Sequence, residues 1–372
     1  MGRKPAGIID IIETTIIERL SSGIYTPEHS LPGAVHLAKE FGCSYQTIDR
    51  ILRNLVEKKL VTRRRGSGTY PVRQQYRIAY LKRTPINTPG LHHLISDIYH
   101  HAAEEALAER NCIVKEFTFQ QLQDRSFSPR LLRNFDGILC SSDYSDEKSG
   151  DLLQEANLPI VFFGSARPVW HFNCIIADWQ SGLQELFSSI EHPETRHYWI
   201  WDRLLCAGPV SEEQYTPSFV AQEVLKAAAA FHVPTENIVL HPLFLQWTQS
   251  TELEAYKLCL KLKAPTDAIH LSTSDLLAFG LYDAFLERGC RIGEFDLISC
   301  DDLESRGISP YSEPTITSIN HPKEQLVQRA VKLLTELIAT GERSCFTIEI
   351  PTSLTIRKSG LYRYLLDKQE KV

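Results

Sequence analysis

Two groups of side chains have types and spacing that can do chemistry. The first lies near the N-terminus, where Ser44, Tyr45, Gln46, Thr47, Asp49 and Arg50 precede Arg63-Arg64-Arg65-Gly66. Glutamine can pair bidentately with adenine, arginine with guanine or a phosphate, and a Ser or Thr hydroxyl with a phosphate. Gly66 has no side chain and admits close approach to a minor groove. Asp49 would repel a phosphate unless it accepts from a cytosine amino group. The second group is a series of polar clusters: Lys82–Thr88 (with Thr84 and Asn87), Ser141-Ser142-Asp143, Ser272-Thr273-Ser274-Asp275, Asp301-Asp302 and Asn320-His321. A carboxylate accepting from neighbouring hydroxyls, beside an aromatic face, suits a polyol. Trp247 would add a stacking ring, although it reads equally well as a core or surface residue. Asp275 can instead cap a helix, and Asp301-Asp302 can close a turn.

The first group needs a small basic scaffold. Ile9, Ile12, Ile16 and Leu20 form one helical face, and Ala34, Leu37, Ala38 and Phe41 a second, closed by Gly42. Ser44 is placed to N-cap a third helix whose apolar face is Ile48, Ile51, Leu52 and Leu55. The Gly42-Cys43-Ser44 turn has helix-turn-helix spacing. Leu60–Tyr70 then reads as strand, Gly-containing turn and strand, a hairpin with cations at its tip. Such a unit lays its third helix in a major groove and its wing on phosphates.

The second group needs a sheet. From residue 77 onward, strands such as Arg77–Leu81, Asp136–Cys140, Leu158–Phe163, Tyr198–Trp201, Ala268–Leu271 and Phe295–Cys300 alternate with helices at Asp97–Arg110, Asp275–Arg288 and near Leu326–Leu337. That alternation predicts an α/β body with parallel sheets, whose ligand positions follow the carboxyl ends of the strands.

Charge divides along the same line. The whole chain of 372 residues carries −6, but residues 1–73 hold twelve Lys/Arg against seven Asp/Glu, leaving −11 for the remainder. No stretch approaches the ~18–20 apolar residues of a membrane span. Ile8–Ile17 is interrupted by Asp10 and Glu13 and no cleavage site follows, so no signal peptide is read. Nine scattered cysteines without a CxxC pair suit reduced thiols in a cytoplasm. His93, Asp97, His100 and His101 share a helical face, an arrangement that invites a metal reading, but the sequence shows no cysteine or acidic segment to complete it, and no metal or cofactor is expected.

Residues 8–72 resemble the GntR family of winged-helix regulators. The resemblance rests on Leu20-Ser21-Ser22-Gly23-Ile24-Tyr25, Leu31-Pro32, Leu37–Ser44, Thr47-Ile48, Leu52, Leu55, Lys59-Leu60-Val61 and Arg64–Tyr70. It departs where the family reads DNA: Tyr45 and Asp49 stand where arginines are usual, and Gly33-Ala34 where Ser-Glu is. Base reading is therefore expected from Gln46, Thr47 and Arg50, with Arg63, Arg64 and Arg65 on phosphates. Residues 76–360 are similar to the effector domain of LacI/GalR regulators, relatives of periplasmic sugar-binding proteins. The carrying segments are Asp136–Ile138, Leu158–Val161, Ile176-Ala177-Asp178 with Gly182, Pro265–Ile269, Ser274-Asp275, Asp296–Asp302, Thr315–Pro322 and Leu354–Gly360. Here too the chain departs, with Gly164-Ser165 for the usual Asp-Arg and no RxxGF near Gln214–Phe219.

These resemblances imply a DNA-binding domain at 1–72, a connector at 73–76, a two-lobed domain at 77–360 and a polar tail at 361–372. Lobe 1 is expected at about 77–190 and 319–345 and lobe 2 at about 191–318 and 346–360, with crossings near 190, 295–318 and 345. They also imply a cytoplasmic, homodimeric repressor-type regulator of double-stranded operator DNA. A small effector, expected to be a carbohydrate, would sit between the lobes on Thr84, Asn87, Ser141, Arg167, Trp247, Asp275, Asp301, Asp302 and His321. The connector is too short for a separate hinge helix, so the lobes would reposition the winged helices directly. The alternative is a carbohydrate- or nucleotide-processing enzyme with an accessory nucleic-acid module. It would need a nucleophile, metal triad or phosphate loop, and no GxSxG, HExxH or GxxxxGK[ST] motif occurs.

Overall fold

The computed structural model describes residues 7–21, 24–27, 29–72, 75–82, 94–124, 129–141, 147–168, 171–205, 215–246 and 249–361. Three helices open the chain: α1 (Ile8–Ser21), α2 (Ala34–Glu40) and α3 (Tyr45–Glu57). Their apolar faces make one core, in which Ile16, Leu37, Ile48, Ile51 and Leu55 are fully buried. Ser44 caps α3, its Oγ accepting from the Thr47 amide at 3.1 Å. The wing pairs β1 (Val61–Arg64) antiparallel with β2 (Gly68–Pro71), from Val61 opposite Pro71 to Arg64 opposite Gly68. At its tip Gly66 has φ +75°, which an L side chain adopts only under strain.

The body contributes β3 (Arg77–Lys82), α4 (Leu94–Glu109), β4 (Ile113–Thr118), α5 (Phe119–Gln123), β5 (Gly137–Ser141), α6 (Glu147–Glu155), β6 (Ile160–Gly164), β7 (Asn173–Asp178) and α7 (Trp179–Ser189). It continues with β8 (Tyr198–Leu205), α8 (Phe219–Ala230), β9 (Ile238–Leu245), α9 (Thr251–Leu262), β10 (Ile269–Ser272), α10 (Asp275–Glu287) and β11 (Asp296–Cys300). Last come β12 (Thr317–Asn320), α11 (Lys323–Thr340), β13 (Thr347–Pro351) and β14 (Ser353–Thr355). One six-stranded sheet runs β13-β7-β6-β5-β3-β4 and the other β14-β12-β11-β10-β8-β9. In the second, β9, β8, β10, β11 and β12 are parallel and only β14 is antiparallel. Strands β5, β6 and β11 are buried at every residue, the continuous apolar run of a sheet covered on both faces.

The chain divides into two compact units, Met1–Thr84 with Tyr99–Ile175 and Glu324–Ile348, and Pro85–Ile98 with Ile176–Lys323 and Glu349–Val372. The changeovers at 175/176 and 323/324 lie away from the 190 and 295–318 expected from sequence. The reason is local packing. Helix α7 belongs with β12 and β14: the Gly182 amide donates to Thr352 Oγ1 at 3.0 Å, and the Leu354 amide to a Glu185 carboxylate oxygen at 2.8 Å. Strand β12 is inseparable from β11, pairing Ile298 with Thr317 through Cys300 with Ile319. Residues 73, 74 and 362–372, parts of the expected connector and tail, lie outside the described residues. Leu361 is fully buried, its amide donating to Asp296.

Candidate nucleic-acid interface and effector site

Helix α3 turns Ile48, Ile51, Leu52 and Leu55 inward, which leaves Tyr45, Gln46, Arg50 and Arg53 on the outer face. Tyr45 is 55% exposed. Thr47 is half-buried, and its hydroxyl is shared with Ser44 Oγ at 2.9 Å, so the pair forms the cap rather than a free donor set. The three wing arginines differ from one another. Arg63 donates to Asp49 Oδ1 at 2.7 Å, and Arg64 lies over the Tyr70 ring at 4.3 Å. Arg65 is exposed beside Gly66 and makes no ion pair with any described residue; the same holds for Arg50. Asp49 is not the bare carboxylate expected from sequence: Arg53 and Arg63 both bond it, and they hold its carboxyl below the usual range, Arg53 contributing most.

In the first unit, Ser141 ends β5 and is buried, while Arg167 is exposed in the loop after β6. A second constellation there corrects the sequence reading of the histidine helix. His100 Nε2 does have acidic partners, Glu116 Oε1 at 3.2 Å and Glu104 Oε1 at 3.6 Å. Lys82 pairs with the same Glu116, and its Nζ stands 3.4 Å from His100 Nε2, so an ammonium already supplies the positive charge that a metal ion would bring. His92 and His93 fall outside the described residues.

The second unit collects charge in its interior. Asp275 is 1% exposed at the first position of α10, yet it does not cap that helix; Ser274 does, accepting from the Leu277 amide. Asp275 instead accepts from the Leu303 amide at 2.6 Å and from Ser318 Oγ at 3.0 Å. Burial, reinforced by neighbouring Asp301, pushes its carboxyl up to about 7. Asp301 follows β11 in a left-handed conformation, φ 115°, and burial raises its carboxyl as well. Its carbonyl accepts from Lys323 Nζ at 2.8 Å, and Lys323 is fully buried. Burial lowers the Lys323 ammonium below its ordinary value while Asp301 pulls it back up. Sequence reasoning missed Lys323, although a cation at the first position of a helix, against the dipole, was a usable signal.

Asp302 is bound into the fold. Its carboxylate takes Arg357 Nη2, Ser305 Oγ at 2.7 Å and Thr355 Oγ1 at 3.2 Å, which leaves no outward acceptor for a ligand and removes it from the expected set. His321 is buried with its ring 5.2 Å from that of Trp179, and burial drives its imidazole well below 6.5, so it is neutral. Asp202, not singled out from sequence, is fully buried within β8; Oδ2 accepts from Tyr215 and the Ser218 amide, and Oδ1 has no partner among the described residues. Thr84, Asn87 and Trp247 lie outside the described residues.

Residues 9–70 match the family of bacterial regulatory proteins known as gntR, and residues 203–360 match the periplasmic binding protein-like domain. The chain joins a gntR-type helix-turn-helix domain to a periplasmic-binding-protein-like domain. The gntR-type match covers α3 and the wing, and the second match covers the sheet β14-β12-β11-β10-β8-β9 from residue 203 onward. Among curated relatives, the HTH-type transcriptional repressor PurR of Mannheimia succiniciproducens is 38% identical over 87 residues, 23% of this chain and 25% of that protein. The histidine utilization repressor of Pseudomonas putida is 36% identical over 70 residues, 19% of this chain and 28% of the relative. The chain thus spans about a quarter of the length of these two relatives. Solved structures agree on the fold. A LacI-family regulatory protein from Chloroflexus aggregans superposes with TM-score 0.58 at 21% identity, covering 76% of this chain and 98% of that one. The LacI-family regulator CCPA of Weissella paramesenteroides, with bound glucose, gives 0.57 at 14% identity over 76% and 98%. The lac repressor dimer bound to operator gives 0.57 at 17% over 77% and 94%. No helix among the described residues is long and apolar enough to cross a membrane.

Proposed function

We propose that this chain is a transcriptional regulator that binds double-stranded operator DNA as a homodimer and responds to a small effector, a sugar or sugar derivative. The observation that carries the reading is a gntR-type winged helix, with Gln46, Arg50 and Arg65 exposed on its DNA-facing elements, on one chain with a LacI-like fold. Gln46 and Arg50 would read base edges, and Arg64, Arg65 and the Gly66 turn would meet phosphates and minor groove. A dimer fits because one module makes few contacts and paired half-sites multiply affinity. The effector belongs to the periplasmic-binding-protein-like domain, where Asp301, held by Lys323, is the acceptor for its hydroxyls and Asp275, buried on Leu303 and Ser318, supports it. Ser141, Arg167 and His321, with Thr84, Asn87 and Trp247, complete the candidate set. Regulator structures of this fold hold ribose, glucose and cellobiose, which supports a carbohydrate here.

The test is a mobility shift on the DNA upstream of the chain's own coding sequence, with and without a panel of pentoses, hexoses and disaccharides. Retardation that one sugar releases or strengthens is the expected result. Equal retardation of a shuffled duplex sinks the operator reading. Operator affinity indifferent to every sugar that binds the protein sinks the effector reading.

A further inference from the structure

Asp49 sits on the outer face of α3, where the usual residue of this family would be an arginine. Its carboxylate joins two elements. Oδ2 accepts from Arg53 Nε at 2.9 Å and also from Arg53 Nη2, one turn further along α3. Oδ1 accepts from Arg63 Nη2 at 2.7 Å, and the Asp49 carbonyl faces the same nitrogen at 3.4 Å. Arg63 lies on β1, fourteen residues away, so this one side chain ties the helix to the wing. The Asp49 side chain is 16% exposed, its arginine partners 68% and 41%. Arg63 spends Nη2 on Asp49, so its charge is already matched there, whereas Arg50 and Arg65 have no ion-pair partner among the described residues. Exposed ion pairs contribute little to folding. Their effect on a DNA interface is larger, because each cation withheld from the backbone removes one counterion-release contribution that is blind to sequence.

We propose that Asp49 is a specificity-determining positioning residue: it withholds Arg53 and Arg63 from phosphates and sets the wing against α3, weakening binding to non-cognate DNA. This rests on the proposed function, and it deepens it by dividing the five arginines into two held and three presented.

The test uses the full chain with two labelled duplexes, one enriched by the wild-type protein from a random pool and one shuffled from it. Affinity is followed against salt. In wild type, Arg63→Ala leaves the slope of log K against log salt unchanged, whereas Arg65→Ala flattens it by about 0.9. Asp49→Asn steepens the slope on the shuffled duplex by about 0.9 for each arginine released and narrows the gap between the two duplexes. Adding Arg63→Ala to Asp49→Asn takes back one such step. Flattening by Arg63→Ala in wild type equal to that of Arg65→Ala overturns the proposal, as does an unchanged slope in Asp49→Asn. A second readout needs no DNA. Titration of the Asp49 carboxyl by NMR is expected below the ordinary carboxylate range, moving up in Arg53→Ala and, less, in Arg63→Ala. A carboxyl that titrates normally overturns the clamp. Failure of wild type to prefer the enriched duplex, with the Asp49 titration as expected, overturns the operator reading and with it the specificity role, and leaves the clamp itself standing.

Discussion

The winged helix and the second unit use the same ionisable residue types in opposite surroundings. On α3 and the wing, Arg50, Arg53, Arg63, Arg64 and Arg65 are all exposed, and Arg50 and Arg65 keep their water until a phosphate replaces it. In the second unit Lys323 is fully buried and Asp275 nearly so, and both lost their water when the chain folded. A buried charge must be matched at once by neighbours, so its cost falls on stability and on pKa. An exposed charge is matched later by a partner, so its effect falls on binding and on salt dependence. Substitutions that alter stability should therefore cluster in the second unit, and substitutions that alter salt slopes in the first 72 residues.

The largest expected effect is at Lys323. Lys323→Met removes the internal cation and leaves Asp301 and Asp275 uncompensated, a loss of about 3–5 kcal/mol when both are ionised. The loss should be greatest above pH 7 and shrink toward pH 5, because Asp275, already raised to about 7, can take a proton instead. Urea unfolding followed by tryptophan fluorescence reads this unit through Trp179, Trp199 and Trp201. A cost independent of pH would break the link between the lysine and the acids.

A second effect is hidden by cancellation. Burial lowers the His270 imidazole from 6.5 to about 4, with Trp201 Nε1 donating to Nδ1 at 3.0 Å and Nε2 facing the Pro265 carbonyl at 2.7 Å. The unfolded chain protonates first, so the stability owed to neutral His270 is present above 6.5 and lost as pH falls toward 4. His241 and His321, also lowered by burial, act in the same direction. Asp275 runs the other way: its contribution is present below its ordinary 3.8 and lost as pH rises through about 7, so it returns on acidification. Between pH 7 and 5 the His270 and Asp275 contributions are each on the order of 2 kcal/mol and opposed. Asp275→Asn removes the opposing contribution, so on going from pH 7 to 5 it should lose about 2 kcal/mol more than wild type does. A level profile in that variant contradicts a neutral, buried His270.

The two regions also differ in how well they could be read before folding. The winged helix was legible because its signals are local: an apolar face repeating along each helix, a serine at the cap, and a glycine between two short strands, all within about 65 residues. What escaped was Asp49, whose role depends on Arg63 coming back beside it. The second unit was legible as alternating strand and helix, and Asp275 and Asp301 were singled out because they follow strands. Which carboxylate is spent internally was not legible. Asp301 and Asp302 are neighbours in the chain, yet one holds Lys323 and the other Arg357, partners 22 and 55 residues away. Nothing local distinguishes them, since strand register and loop closure decide it.

On the exposed side, two arginines should separate by the kind of effect they have. Arg50→Ala is expected to cost about 1–3 kcal/mol on the enriched duplex and relax the preference at one base position. Arg65→Ala should weaken all duplexes alike and leave the base preference intact. Measuring both variants on single-base substitutions of the enriched duplex sorts them. Equal loss on every duplex from Arg50→Ala would place Arg50 on the backbone.

The smallest effect tests whether the exposed domain has any stability device of comparable local importance. Ser44 Oγ accepts from the Thr47 amide at 3.1 Å and shares a hydrogen bond with Thr47 Oγ1. Removing it in Ser44→Ala should cost about 1 kcal/mol in the winged helix, and Ser44→Asp should restore most of it, because a carboxylate also accepts from the first-turn amides. Amide exchange at Thr47 and Ile48 reads the loss directly, while the tryptophan transition of the body should not move. If that transition shifts with Ser44→Ala, the winged helix and the body unfold as one cooperative unit. The contrast between an exposed domain that governs binding and a buried cluster that governs stability would then hold for charge but not for folding.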